Sequence, residues 1–312
     1  MRKTSLLADI TLLFVALIWG TTFVVVQNAI AFLEPITFNA VRFSIATILL
    51  LSWLLIFQRN QLKTCSYKLI IAGILIGFWL FVGYATQTLG LLFTTSSKAG
   101  FITGLSVVLV PLLSFILFKY KPSKGAVLGI LIATIGLYLL TMTDSVSLNV
   151  GDGLVFICAI GFALQIVYTG KYSSKFPTLL LTIVQIATVT ILSIIGAFLF
   201  EDWQLALEPS IIFDNEVIVA LFITSVFATA LAFLAQTAVQ KFTTSTRVAL
   251  IFAMEPVFAA ITGYIGANDR LSYSAIVGCV LIFAGMIFAE LPVKRLSFRF
   301  KQDPKDSKKS AM

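Results

Sequence analysis

The chain alternates long apolar stretches with short polar breaks. Apolar runs fall at residues 8–28, 36–57, 69–92, 97–118, 124–142, 152–170, 177–200, 216–239, 245–267 and 273–291. Each approaches the roughly 20 residues that a helix needs to cross a bilayer. The pattern predicts an all-α integral membrane protein with ten transmembrane helices and almost nothing left for a soluble domain. Arg2 and Lys3 before the first run, with Ala29-Ile30-Ala31 after it, superficially resemble a signal peptide and its cleavage site. The run is span-length rather than the roughly 7–15 residues of a signal core, so it is expected to remain as the first helix.

Composition agrees with this pattern and narrows the function. Hydrophobic residues are 59% of the 312 positions and charged ones 12%, against about half and a quarter in ordinary soluble domains. The +8 net charge is spread over loops and a tail instead of one face, which argues against nucleic-acid binding. Cys65, Cys158 and Cys279 are odd in number and widely spaced, so neither a disulfide framework nor a metal site is expected. With no His there is no HExxH zinc site and no Ser-His or Cys-His nucleophile pair. No Walker-type phosphate loop occurs, so gradients or a partner must supply energy. No cofactor and no catalytic residue is expected.

Lys and Arg collect on the cytoplasmic side of short loops. Placing the N-terminus inside puts Arg2 and Lys3; Arg59, Lys63 and Lys68; Lys119, Lys121 and Lys124; Lys171 and Lys175; Lys241 and Arg247; and the basic tail on one side. The other side keeps only Lys98 and Arg270, with Glu34, Asp144, Asp152, Glu201, Asp202 and other acids. Both termini are therefore expected to be cytoplasmic, in a multi-pass protein of the plasma membrane. A missed or extra helix would invert the bias in every later loop, so the agreement supports an even count. The tail, 292–312, is polar and basic and is expected to lie unfolded or against anionic headgroups.

The sequence repeats itself. Phe93-Thr94-Thr95-Ser96 recurs as Phe242-Thr243-Thr244-Ser245, 149 positions on; Gln87-Thr88 matches Gln236-Thr237, Lys98 matches Arg247, Gly129 matches Gly278 and Gly136 matches Gly285 at the same offset. Earlier in each half the offset is 143, pairing Asp9 with Asp152, Val41 with Val184 and Arg42 with Gln185. The halves, 8–142 and 152–291, hold five runs each. An odd number makes the second half enter from the opposite side, so the repeats are inverted, an arrangement typical of secondary transporters.

Ala16-Leu17-Ile18-Trp19-Gly20-Thr21-Thr22-Phe23, Arg42-Phe43, Gln87-Thr88-x-Gly90 and Thr94-Thr95-Ser96-Ser97-Lys98-Ala99-Gly100-Phe101 resemble the EamA branch of the drug/metabolite transporter superfamily. Glu255-Pro256-Val257-Phe258, Leu271-Ser272 and the Gly278 and Gly285 spacing are similar to its second repeat. The resemblance implies two inverted five-helix EamA-like repeats in a basket around a central cavity, the fifth and tenth helices peripheral. It also implies export or exchange of metabolites such as amino acids. One departure stands out: many members carry Glu before the Leu-Ser pair, where this chain has Asn268-Asp269-Arg270.

A charge near the bilayer centre is costly and tends to mark a pathway. Glu255, about ten residues or roughly 15 Å into the ninth run, is the deepest. It is a candidate to carry a proton or to contact a substrate amino group; a protonated Glu bonded to a neighbouring helix is the structural alternative. Pro256 after it, and Pro111 in the fourth run, are expected helix breaks. Arg42 lies about six residues inside its run, so an anion or gating role stands beside snorkelling to the interface. Gln87 and Gln236 are either site amides or polar glue between helices. Trp19, Trp79 and Tyr84 are candidate cavity aromatics. Gly73-x-x-x-Gly77, Gly100-x-x-x-Gly104 and Gly125-x-x-x-Gly129 read as close-packing signals. Expected partners are a small-molecule substrate, the lipid bilayer, and a proton or counter-substrate; oligomeric state is left open. The alternatives are a channel, for which no filter-like loop or ring of charges exists, and a structural or regulatory membrane protein without transport activity.

Overall fold

The computed structural model describes residues 2–141, 149–266 and 272–290. Asp144, the Asn268-Asp269-Arg270 segment, Leu271 and the 292–312 tail lie outside them. Among the described residues the chain is helical, with no strand. The helices are α1 (Arg2–Ala29), α2 (Pro35–Phe57), α3 (Tyr67–Gly90), α4 (Ser96–Gly104), α5 (Ser106–Phe118), α6 (Lys124–Thr141) and α7 (Val150–Tyr172). They continue with α8 (Thr178–Phe200), α9 (Pro209–Ile212), α10 (Asn215–Phe222), a π-helix (Ile223–Leu231), α11 (Ala232–Gln240), α12 (Ser245–Phe252), α13 (Glu255–Gly266) and α14 (Tyr273–Glu290).

Eight helical stretches are long and apolar enough to cross a bilayer, and Lys124–Leu140 and Tyr273–Ala289 are shorter apolar helices. Within the described residues the helices of the fifth and tenth runs have 18 residues each, against 18 to 26 in the other eight stretches. Surface and interior invert the pattern of a soluble protein. Ile48, Ile56, Phe57, Leu131, Val280 and Phe200 face outward, whereas Asn39, Arg42, Gln165, Gln185 and Gln236 are buried. Lipid solvates apolar side chains, and buried polar groups bond one another instead.

Helix starts follow capping chemistry. Ser66 accepts the Leu69 N–H at the start of α3, and Asn149 and Asp152 form a reciprocal capping box on α7. The repeated Thr-Thr-Ser segments end their preceding helices and cap the next: Thr95 accepts from Lys98 N–H and Thr244 from Arg247 N–H, both at 3.3 Å.

Two spans are broken. The second break falls at Ala253–Met254, between α12 and α13, which places Pro256 at the second residue of a new helix, where its missing N–H costs nothing. In the first half the break is at Leu105, and α5 runs on through buried Pro111. Pro111 is therefore not the break point, because packing around it holds the helix despite the lost hydrogen bond.

Helices from the two halves meet where the repeat places equivalent residues. A Cβ added to Gly129 would lie 2.4 Å from the Gly285 carbonyl oxygen, and one on Gly136 would lie 2.7 Å from that of Gly278. Each glycine thus faces the repeat mate of the other, so the backbones of α6 and α14 touch. Gly73 and Gly77 likewise bring α3 onto Val184 and Gln185 of α8. Thr47 and Thr190, 143 positions apart, hydrogen-bond each other at 2.9 Å across α2 and α8.

Candidate functional site

A cavity of about 240 Å³ lies between the halves, lined by residues of helices from both. Trp19, Arg42, Tyr84, Gln87, Glu255 and Pro256 line it; Gln236, Trp79 and Pro111 do not. Arg42 is 3% exposed and points inward, so it does not snorkel. Its Nε donates to Thr229 Oγ1 at 2.7 Å, its Nη2 to the Ala228 carbonyl at 3.4 Å and to Tyr84 Oη at 3.5 Å. The guanidinium lies 4.8 Å from the Tyr84 ring centroid and 5.4 Å from that of Phe43, arrangements that favour a cation. No carboxylate pairs with it among the described residues.

The π-helix explains how Arg42 is held. Ala228 and Thr229, two of its partners, both lie within the π-helix, a feature frequent at functional sites. Ala228 O receives both Trp19 Nε1, at 2.8 Å, and Arg42. Trp19 is clamped further by Phe233 and Phe252, with ring centroids at 5.3 and 4.9 Å. Glu255, opening α13, has no hydrogen-bond or ion-pair partner for its carboxyl among the described residues. Gln87 donates to Thr103 Oγ1 at 3.3 Å. Gln236 sits behind the wall: its Nε2 donates to Gln165 Oε1 at 3.2 Å and Gln240 Oε1 at 3.3 Å. Trp79 packs edge-on against Phe78.

The family model described as the EamA-like transporter family matches residues 6–142 and again 149–290. The chain belongs to this family. An uncharacterized transporter of Archaeoglobus fulgidus is 35% identical over 289 residues, 92% of this chain and 87% of that one. The uncharacterized transporter YyaM of Bacillus subtilis is 26% identical over 303 residues, 94% and 96% of the respective chains. A crystal structure 18% identical in sequence superposes with a TM-score of 0.74 over 93% of this chain and 97% of its own, a likeness of fold. This EamA protein is accordingly a multi-pass membrane transporter.

Several residues of the EamA cavity escaped the sequence reading: Thr22, Thr88, Thr103, Ser106, Phe162, Gln165 and Phe233 also line it. Phe162, Phe233 and Ser106 carried a signal in the repeat offsets, as mates of the candidates Trp19, Tyr84 and Glu255. Trp19 is equivalent to Phe162, Thr22 to Gln165, Tyr84 to Phe233, Thr103 to Phe252 and Ser106 to Glu255, and both members of each pair line the cavity. A candidate in one half thus points to its mate in the other. The rule fails for Arg42, Gln87 and Thr88, whose mates Gln185, Gln236 and Thr237 do not reach the space.

Proposed function

We propose that this EamA protein is a secondary transporter, an exporter or exchanger, of small organic metabolites such as amino acids. It crosses the plasma membrane ten times as two inverted sets of five helices, 8–142 and 152–291, with both termini cytoplasmic, and exposes the central cavity to each side in turn. The single observation that carries the reading is the cavity's chemistry. Among the described residues it is lined by one acid, Glu255, and one base, Arg42, neither in an ion pair, together with rings and neutral hydrogen-bonding groups.

A buried charge without a partner is costly unless something supplies the counter-charge. A molecule bearing a carboxylate and an ammonium would supply both, the carboxylate at Arg42 and the amino group at Glu255. In the empty transporter a proton on Glu255 would serve instead, which couples substrate release to proton binding. The volume suits small metabolites, lying below the roughly 300–1,000 Å³ of drug-sized pockets. The crosswise contacts at Gly129–Gly285, Gly136–Gly278 and Thr47–Thr190 support a two-fold relation of the halves, the symmetry that alternating access exploits.

The test is counterflow. Proteoliposomes preloaded with individual unlabelled amino acids are expected to accumulate the labelled form for at least one of them, and Glu255→Gln proteoliposomes are not. Labelled uptake equal to protein-free liposomes across a panel of amino acids and other small metabolites would overturn the proposal.

A further inference from the structure

Two ion pairs join the halves outside the central cavity. Lys98 Nζ lies 3.6 Å from Asp152 Oδ2, and Arg247 pairs with Asp9. Lys98 and Arg247 are repeat equivalents, as are Asp9 and Asp152. Each pair therefore joins a base of one half to an acid of the other, and the two pairs are copies of one contact. Charge bias places Lys98 and Asp152 at the outer face and Arg247 and Asp9 at the inner.

Both bases stand where local structure disfavours them. Lys98 and Arg247 occupy the first turns of α4 and α12, where the helix dipole is positive and repels cations. The acid across the interface offsets that cost only while the halves are closed, so each pair adds stability to one closed face and none when that face opens. Both bases also lie close to the breaks at Leu105 and Ala253–Met254, with Ser106 and Glu255 of the cavity just beyond. A movement of α4 or α12 that parts an ion pair thus reaches the cavity wall through a short helix.

The surroundings of the two pairs differ. Asp152 also accepts from Thr94 Oγ1 at 2.5 Å and from Asn149 N–H at 3.1 Å. Thr243, the equivalent of Thr94, leaves its hydroxyl without a hydrogen-bond partner among the described residues. It lines a second space, of about 660 Å³, beside Arg247, Lys121 and Lys171.

We propose that Lys98–Asp152 and Arg247–Asp9 are the outer and inner latches of transport, parted one at a time. The inference rests on the transport reading above, but its test needs no substrate. A cavity cysteine, Ala260→Cys, is placed in a Cys65→Ser, Cys158→Ala, Cys279→Ser background and labelled in intact cells with a membrane-impermeant maleimide. Asp152→Asn, which keeps an oxygen for the capping bonds, is expected to raise the labelling rate about fivefold, and Asp9→Asn to lower it by a similar factor. Lys98→Gln and Arg247→Gln, which leave both acids in place, are expected to repeat the two signs and keep the test open if an Asp variant misfolds. Rates that stay at the parental value, or move in the same direction for both faces, would overturn the latches. Counterflow without opposed labelling shifts leaves transport standing and removes the latches; opposed shifts with no counterflow of any metabolite do the reverse.

Discussion

Arg42 shows how much one residue's role depends on what surrounds it. Its depth alone allowed snorkelling, but the carbonyl of Ala228, the hydroxyl of Thr229 and the ring of Tyr84 hold it inside. A hydrogen bond to a charged group contributes about 1.5–3 kcal/mol. Replacing Arg42 with Gln is therefore expected to raise the Kd of a carboxylate-bearing substrate about 10- to 100-fold, measured by isothermal titration on the purified protein. An unchanged Kd for every bound substrate would assign Arg42 to structure alone. Gly100 gives a complementary case. A Cβ there would meet only Pro256 Cβ, at 3.9 Å, so the position is open space on the cavity wall instead of the tight helix contact its Gly-x-x-x-Gly spacing suggested. Gly100→Leu is expected to fill the cavity and stop counterflow while leaving the melting temperature within a few degrees, about 0.5–1 kcal/mol of helix propensity being gained against Gly.

At the scale of elements, the π-helix and the α6–α14 pair do different work. The π-helix presents a carbonyl to Trp19 and Arg42, at the cost of a less regular span. The glycine contacts of α6 and α14 bring two short apolar helices together by their backbones. A side chain at Gly129 meets the Gly285 carbonyl, which cannot move aside without displacing its helix. Gly129→Leu is expected to destabilise the protein by about 1–3 kcal/mol, the usual range for overpacking, read as a lowered detergent melting temperature. The same substitution at Gly153, whose added Cβ meets nothing within 4 Å, is the control and is expected to change little.

At the scale of the whole molecule, the proposed orientation rests on charge distribution and has a native reporter. Cys65 is exposed in the polar turn between α2 and α3, which the charge bias places in the cytoplasm. An impermeant maleimide is expected to label it only after permeabilisation, with Cys65→Ser as the control; labelling of Cys65 in intact cells would invert the topology.

Much of this protein was legible in its sequence, for physical reasons. A bilayer demands long apolar helices with internally bonded backbones, so spans appear as runs. Duplication leaves an offset that is constant within each stretch, 149 for Lys98 and Arg247 and 143 for Asp9 and Asp152, so equivalent positions can be paired by counting. Equivalence is not contact, however. When two halves face each other, a residue meets its own mate only at the centre of the relation, as Thr47 meets Thr190; elsewhere it meets the mate of a different residue, as Lys98 meets Asp152, the mate of Asp9, and Gly129 meets Gly285, the mate of Gly136. Tertiary structure alone decided those partners. It also decided that Gln87 reaches the cavity while Gln236 lies behind Gln165, and that a helix breaks at Leu105 while continuing through Pro111. Each outcome depends on which face of a helix packs against which neighbour, and apolar runs in a membrane carry little of that information, because lipid and protein interior favour the same side chains.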